Sequence, residues 1–433
     1  MRRDTSFTNW AGNQRGNVRA WESPADEAAV LRLFERATRE NRRVRPVGSG
    51  HSWSDIAVPE DIAVDLRALS GVVRVDGDLV IVRAGTRLRD LNAALADKGL
   101  AMPILGSIAE QTLAGAVATA THGSSLRHGN LATLVTGMRV ALPTGDVLVL
   151  REGDPELDGA AVHLGLLGIV TELTVRVTKR FTLEERKEPM SFKAFVDDID
   201  DVARSAEFVK VWWLPSTGQV VVFRYERTTE TPRHSPAFEW FDEQIVNRRV
   251  FDGLLKFAGR VPEATPLINR AVASTYLKAS RRVADSVKAF NLAMPPTHRE
   301  AEWSVPMGTA ARALRDLDHL LRAQNLRVNF PCEVRFVKGD ARWMSPAFGG
   351  DTCHIGVYQA ESPDLATYFA RTEELATSWK ARPHWGKEFT WGKAALRAAY
   401  PRYNDFCALV RASDPLGILD GPFRRRLLGP TTP

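Results

Sequence analysis

The segment Arg45 to Asp55 reads RPVGSGHSWSD. A short apolar run ends in Gly48-Ser49-Gly50, and His51 stands directly behind the second glycine. Glycines in such a place let backbone N–H groups approach a phosphate, because no Cβ intervenes and positive φ angles become accessible. The dinucleotide fingerprint G-x-G-x-x-G does not run through it: Gly48 and Gly50 supply the first half, but Trp53 occupies the third glycine's place. Two readings stay open at this point. The stretch is an ordinary Gly/Ser turn, or it is a phosphate cradle in which His51 serves as ligand, base or point of covalent attachment.

Upstream, Ser23, Pro24 and Asp26 have the pattern of an N-cap, an N1 proline and a capping acid, and Ala29, Val30, Leu33, Phe34 and Ala37 follow at helical spacing. A helix over 24–41 is expected, leading into the strand RVRPVG. Downstream, VVRVDGDLVIVRAG predicts a hairpin turning at Asp76-Gly77-Asp78, after which Thr86 is placed to cap a helix ended by Gly99. Residues 105–130, LGSIAEQTLAGAVATATHGSSLRHGN, hold few bulky side chains and suit close approach to something flat; an Ala-rich packed helix accounts for the TLAGAVATA part with or without a ligand. A further hairpin around Pro143 to Asp146 and the strand within LGLLGIVTELTVRV close the first half near residue 180. Beyond it longer amphipathic helices mix with the strands KVWWLP and VVVFRYER, until Asp414-Pro415 breaks the last helix pattern. The order of elements is α+β.

The 433 residues suffice for about two or three domains, and 44% hydrophobic content is ordinary for a globular chain. The net charge of +6 comes from short arginine clusters without a sustained basic stripe or an aromatic-basic module, so nucleic acid is not an expected partner. MRRDTSFTNW is polar and no run of about 18 apolar residues occurs, which predicts a cytoplasmic protein without a membrane span. Cys332, Cys353 and Cys407 form no C-x-x-C pair, so neither a disulfide framework nor a structural metal site is expected.

Three places carry polar residues in apolar surroundings. One is His51. In CEVRF, Glu333 and Arg335 stand two apart in a strand-like run and point to the same face. In ARPHWGKEF, His384 and Lys387 lie in a loop punctuated by proline and glycine. Each alone has a plain explanation, since an i, i+2 ion pair at a surface contributes little.

Taken together and in order, NWAG, VGSGHSWSDIA, GSIAEQTLAGAVATATHGSS, LGLLGIVTELTV, VWWLP, CEVRF, RPHWGK and YPRYNDF resemble the sugar-1,4-lactone oxidases of the vanillyl-alcohol-oxidase-type flavoproteins. D-arabinono-1,4-lactone and L-gulono-1,4-lactone oxidases belong to that group, and alditol oxidases are close relatives. The resemblance implies an α+β, two-domain FAD-linked oxidase fold. A PCMH-type FAD-binding domain over 14–180 would be followed by an antiparallel-sheet cap over 181–395 that binds substrate. A C-terminal segment, 396–433, would return to the FAD domain.

It also implies roles. Val47, Gly48, Ser49, Gly50, His51 and Ser52 would wrap the FAD pyrophosphate, with His51 joined covalently to the flavin. Gly106, Ser107, Thr112, Gly115, Thr119 and His122 would line the ring and the diphosphate; Ile169 and Val170 would lie along the FAD, and His384 would contact it. Glu333, Arg335, Lys387 and Ser107 would hold the reacting hydroxyl and the flavin edge. Two cations placed beforehand stabilise charge that develops in the reaction, while Glu333 either accepts the hydroxyl proton or orients the sugar. Gly106, where dehydrogenases of the family tend to carry alanine, implies room for dioxygen and hydrogen peroxide as a product. Where alditol oxidases carry histidine and threonine this chain has Gly356 and Tyr358, which favours a lactone over xylitol or sorbitol. The rival from another class is a non-catalytic basic protein without a flavin.

Overall fold

Asp26 accepts a hydrogen bond from Ala29 N at 2.7 Å and starts the helix Glu27–Arg39, which buries Val30, Leu33, Phe34 and Ala37. The cap is therefore the aspartate, and Ser23 and Pro24 stay outside the helix. The helix carries the chain between strands Ala20–Glu22 and Val44–Val47, which flank Ile62–Asp65 in a parallel three-stranded sheet. Strands that run parallel in one sheet need such a crossover between them. The computed structural model describes residues 6–232, 250–276, 278–292 and 294–429.

The next sheet is antiparallel, with strands Val147–Arg151, Val135–Ala141, Ile169–Arg176, Leu79–Arg83 and Val72–Asp76 side by side. Thr86, expected as a cap, does something else. Its hydroxyl donates to Arg83 O at 2.6 Å and accepts from Gly71 N at 2.8 Å, while the helix Leu88–Ala96 begins behind Arg87 without a side-chain cap. The buried threonine is spent on backbone groups of Gly71 and Arg83.

The largest sheet has eight strands: Ser280–Asp285, Thr182–Ser191, Gln219–Thr228, Phe208–Leu214, Cys332–Val337, Thr352–Gln359, Arg299–Pro306 and Arg382–Pro383. Every pairing in it is antiparallel, so residues directly opposite one another share a face. One face presents Val211, Trp213, Val334, Phe336, Ile355, Val357, Trp303 and Val305, all buried. Against this side lies the helix Met307–Ala323, itself packed on Leu365–Ser378. Burying each such side chain contributes roughly 1.5–3 kcal/mol. The opposite face carries Lys210, Trp212, Glu333, Arg335, His354, Tyr358, Glu300 and Glu302, and it faces the loops of the first half.

The C-terminal segment lies against the first sheet. Val44 N donates to Ile418 O at 2.8 Å, Arg45 donates to Leu419 O at 2.7 Å, and Arg426 pairs with Asp55 at 2.5 Å. No helix among the described residues is long and apolar enough to cross a membrane.

Candidate active site

The turn behind the strand Val44–Val47 is shaped by what glycine lacks. A Cβ on Gly48 would stand 2.7 Å from Thr112 Oγ1, and one on Gly115 would stand 2.9 Å from the same atom, so three residues converge where only two hydrogens fit. Thr112 uses that oxygen to cap the short helix Leu113–Ala118, accepting from Gly115 N. Gly50 sits at φ +71°, a left-handed conformation that a side chain would strain. Ser49 donates to Glu110 O at 2.5 Å, and Asn9 donates to Ser52 O at 2.9 Å. His51 is thereby set beside Trp10, with ring centroids 6.0 Å apart, and its Nδ1 is buried without a hydrogen-bond partner. Burial lowers the His51 pKa, with Glu110 acting against it, so the imidazole is held neutral.

The same turn is tied to the Lys387 loop. Trp53 N donates to Gly386 O at 2.7 Å, Ser54 donates to Trp385 O at 2.6 Å, and the Lys387 ammonium lies 4.3 Å from the centre of the Trp53 ring. Two segments more than 300 residues apart in sequence thus form one wall.

The polar face of the large sheet is the floor. Arg335 donates to Ser107 Oγ at 2.5 Å, pairs with Glu333 at 2.9 Å and reaches His122 O at 3.3 Å. Glu333 also accepts from Trp212 Nε1 and from the Tyr358 hydroxyl, each at 3.0 Å. Burial acts to raise the Glu333 pKa, but Arg335, Lys210 and the Trp212 hydrogen bond outweigh it and hold the carboxyl below its ordinary value. Burial likewise opposes the Arg335 charge, and Glu333, Tyr358 and Glu302 overcome it. Gly356 has a visible reason: a Cβ there would stand 2.7 Å from the Tyr358 ring. The tyrosine lies across the space that any side chain at 356 would need.

Glu302 gathers histidines from three segments. It accepts from His122 Nε2 at 2.7 Å and from His354 Nδ1 at 2.9 Å, and the His122 and His354 rings lie 3.9 Å apart with His384 a further neighbour of His122 at 5.4 Å. Burial alone would raise the Glu302 pKa, yet these histidines hold it well below the carboxylate range. His354 and His384 are pushed down to about 3 and about 4 by burial. His122, Glu302 and His354 also bring ligand atoms within 4.8 Å of one another, although the facing nitrogens are already engaged as donors to the carboxylate. A parallel arrangement holds Lys387: it pairs with Glu300, which accepts from His298 Nε2 at 2.6 Å. Burial pushes the Lys387 pKa down to about 7.

Ser107, His122, Glu333, Arg335 and His384 therefore meet at one place, with His51, Ser52 and Lys387 on the adjoining wall. Ile169 and Val170 are buried in the apolar core at the start of their strand, and Thr119 turns its hydroxyl onto Gly115 O at 3.0 Å. Sequence reasoning missed Lys210, His298, Glu300, Glu302 and His354. The signal for two of them was present: HREAEWSVP alternates polar and apolar residues as CEVRF does, placing Glu300 and Glu302 on one strand face.

Unpartnered buried His51 Nδ1 and Arg335 Nε, the glycine cradle at 48 and 115, and preset cations at a small-residue wall fit a large, flat, anionic cofactor. Residues 19–151 match the family described as FAD binding domain, and residues 173–427 match that of D-arabinono-1,4-lactone oxidase. The fold is shared with solved cholesterol oxidases. One described as solvent-stable superposes with a TM-score of 0.83 at 16% identity, covering 98% of this chain and 97% of the other; the Brevibacterium sterolicum enzyme gives 0.81 at 16% identity, covering 98% and 96%. The molecule is an FAD-dependent oxidoreductase of the two-domain FAD-linked oxidase class.

Among curated relatives, an L-gulono-1,4-lactone dehydrogenase of Mycobacterium tuberculosis is 31% identical over 98% of this chain and 99% of its own length. An L-gulonolactone oxidase of Scyliorhinus torazame is 30% identical over 95% and 96%. The chain belongs to the D-arabinono-1,4-lactone oxidase family.

Proposed function

We propose that this enzyme oxidises a secondary hydroxyl of an aldono-1,4-lactone, with D-arabinono- and L-gulono-1,4-lactone as the substrate type and dioxygen reduced to hydrogen peroxide. The observation that carries the reading is the Glu333–Arg335–Ser107 chain beside Tyr358. Bound FAD supplies the hydride acceptor, its N5. Arg335 and Lys387 supply positive charge where negative charge develops, and Ser107 presents an oxygen already oriented by the guanidinium. Glu333 has both oxygens engaged by donors and a lowered pKa, which suits it to orienting the sugar and holding Arg335 more than to taking a proton. The neutral, unpartnered His51 Nδ1 suits a covalent flavin tether, and Val47 to Ser52 with Thr112, Gly115 and Thr119 would hold the pyrophosphate.

Tyr358 supports a lactone over an alditol. The Gly356–Tyr358 pair replaces polar side chains with a ring lying across the floor, and a flat ring suits a flat five-membered lactone better than an extended polyol. The change from the smaller sheets to the eight-stranded one near residue 180 supports a boundary between an FAD-binding domain and a cap there, with the segment from about 396 as a separate C-terminal part. Three buried free cysteines suit a reducing cytoplasm. The test is a panel of lactones and alditols with peroxide detection. Turnover of a lactone far above xylitol and sorbitol is expected; the reverse order overturns the substrate assignment, and flavin reduction by lactone without peroxide overturns the acceptor.

A further inference from the structure

On the polar face of the large sheet, Arg335 is paired with Glu333 and Lys387 with Glu300. Lys210 is the third buried cation there, directly opposite Arg335 in the ladder, and no ion pair or hydrogen bond to its Nζ occurs among the described residues. Its ammonium lies against aromatic rings, 5.0 Å from the centre of Phe223, 5.4 Å from Trp212 and 5.8 Å from Tyr225. It also lines a small cavity. Leu105, Phe208 and Phe290 give that cavity apolar walls, and Ser107, Lys210 and Arg335 give it a polar end. The free volume is about 20 Å³, room for a guest of one or two heavy atoms and far too little for a sugar ring.

We propose that this cavity is where dioxygen is held and reduced, and that Lys210 is the cation stabilising the charge that the first electron places on it. The proposal rests on the oxygen acceptor proposed above. Dioxygen arrives apolar and uncharged, which suits the walls. After one electron it is a superoxide anion, whose formation costs less beside a cation already in place. The balance closes without another reactant. The substrate carbinol gives up one C–H and one O–H hydrogen, two electrons and two protons in all, and becomes a carbonyl; dioxygen takes both electrons and both protons and leaves as hydrogen peroxide. Ser107 and Arg335 line the cavity and also belong to the Glu333 site, so the two half-reactions would take place side by side.

Burial lowers the Lys210 pKa to about 8; Glu333 and Glu185 pull it up, and Arg335 and Arg282 push it further down. The Tyr225 phenol, raised well above its usual value by burial, stays neutral beside it. Lys210 therefore carries its charge at neutral pH and loses it as pH rises through about 8.

The test uses the FAD-loaded enzyme and bromide as a small monoanionic probe. Bromide should perturb the flavin absorption spectrum saturably in the wild type and in K210R, and should not do so in K210M. Stopped-flow reoxidation of pre-reduced K210M by dioxygen should be at least about tenfold slower than wild type, while anaerobic reduction by a lactone changes far less. Should K210M fail to fold, wild type and K210R decide the matter: the wild-type reoxidation rate must fall as pH rises through about 8, and that of K210R, whose guanidinium keeps its charge, must not. Equal reoxidation rates in wild type and K210M, a bromide response that survives in K210M, or a flat wild-type pH profile overturns the role of Lys210. A wild-type enzyme reduced by lactone yet inert to dioxygen removes the acceptor reading itself, which is a different result.

Discussion

The strand Cys332–Val337 shows its two faces in consecutive residues: Arg335 points to the floor of the site and Phe336 into the apolar layer beneath the helix Met307–Ala323. Both are buried, and they are buried for opposite reasons. Phe336 leaves water at a gain and needs only neighbours of the right shape. Arg335 leaves water at a cost that Glu333, Ser107 and the His122 carbonyl must offset. A sheet whose hidden faces differ so sharply packs apolar side chains on one side and holds paired charges on the other.

The sharpest way to break this contrast is to change the two neighbours separately. Arg335→Ala should slow anaerobic flavin reduction by about a hundredfold to a thousandfold, the effect of removing a preset charge worth about 3 to 4 kcal/mol in the transition state. An unchanged reduction rate with a normal flavin spectrum would take Arg335 out of the reaction. Phe336→Ala should cost about 3 to 5 kcal/mol of stability in denaturant unfolding. Its folded fraction should reduce its flavin within a few-fold of wild type. A large rate loss there would mean that the two faces are not separable.

The turn at His51 tests the comparison at its other wall. Acid-precipitated wild type should stay yellow, and His51→Ala should release its flavin under the same treatment. Complete loss of colour from wild type removes the tether.

Lys387 provides a smaller, graded effect. As a cation in flavin reduction, it should give a rate that falls as pH rises through about 7. Removing the opposing carboxylate with Glu300→Gln should move that fall to lower pH by about 1 to 3 units. A rate that rises through the same range would make Lys387 a base. The stability sign follows from the same shift. Because the folded value lies below the unfolded 10.5, the buried ammonium destabilises fully below about 7, and the penalty fades as pH rises between the two values.

The smallest effect is expected at Gly106. A Cβ there would stand 3.1 Å from Thr121 Cγ2 and 3.4 Å from His122 O, so a methyl group presses on protein that can yield by a few tenths of an ångström. Gly106→Ala should slow reoxidation by about fivefold, corresponding to about 1 kcal/mol, and leave flavin reduction nearly unchanged. Equal reoxidation rates would locate the oxygen route wholly at the Lys210 cavity.

Local patterns made much of the molecule legible. Helical spacing set Glu27–Arg39, two-residue alternation set Cys332–Val337, glycines at 48 and 106 marked places where backbone is approached closely, and Gly50 marked a left-handed turn. The same alternation in HREAEWSVP held Glu300 and Glu302, but it carries no mark distinguishing a surface ion pair from a buried one. The Thr86 expectation failed for a related reason: a threonine before a helix pattern serves as a cap only if the tertiary fold leaves its hydroxyl free.

The sequence by itself determined most of the elements and the family, because periodicity, turn chemistry and motif order are properties of neighbours along the chain. Only the tertiary structure decided that Glu302 holds His122, 180 residues away, that Glu300 holds Lys387, and that Gly356 clears space for Tyr358. It also decided that Lys210 stands as a cation at a cavity. These facts depend on antiparallel register between distant strands and on exclusion of water from the face they share. Burial turns an unremarkable lysine or glutamate into a charge that must have a partner or a purpose.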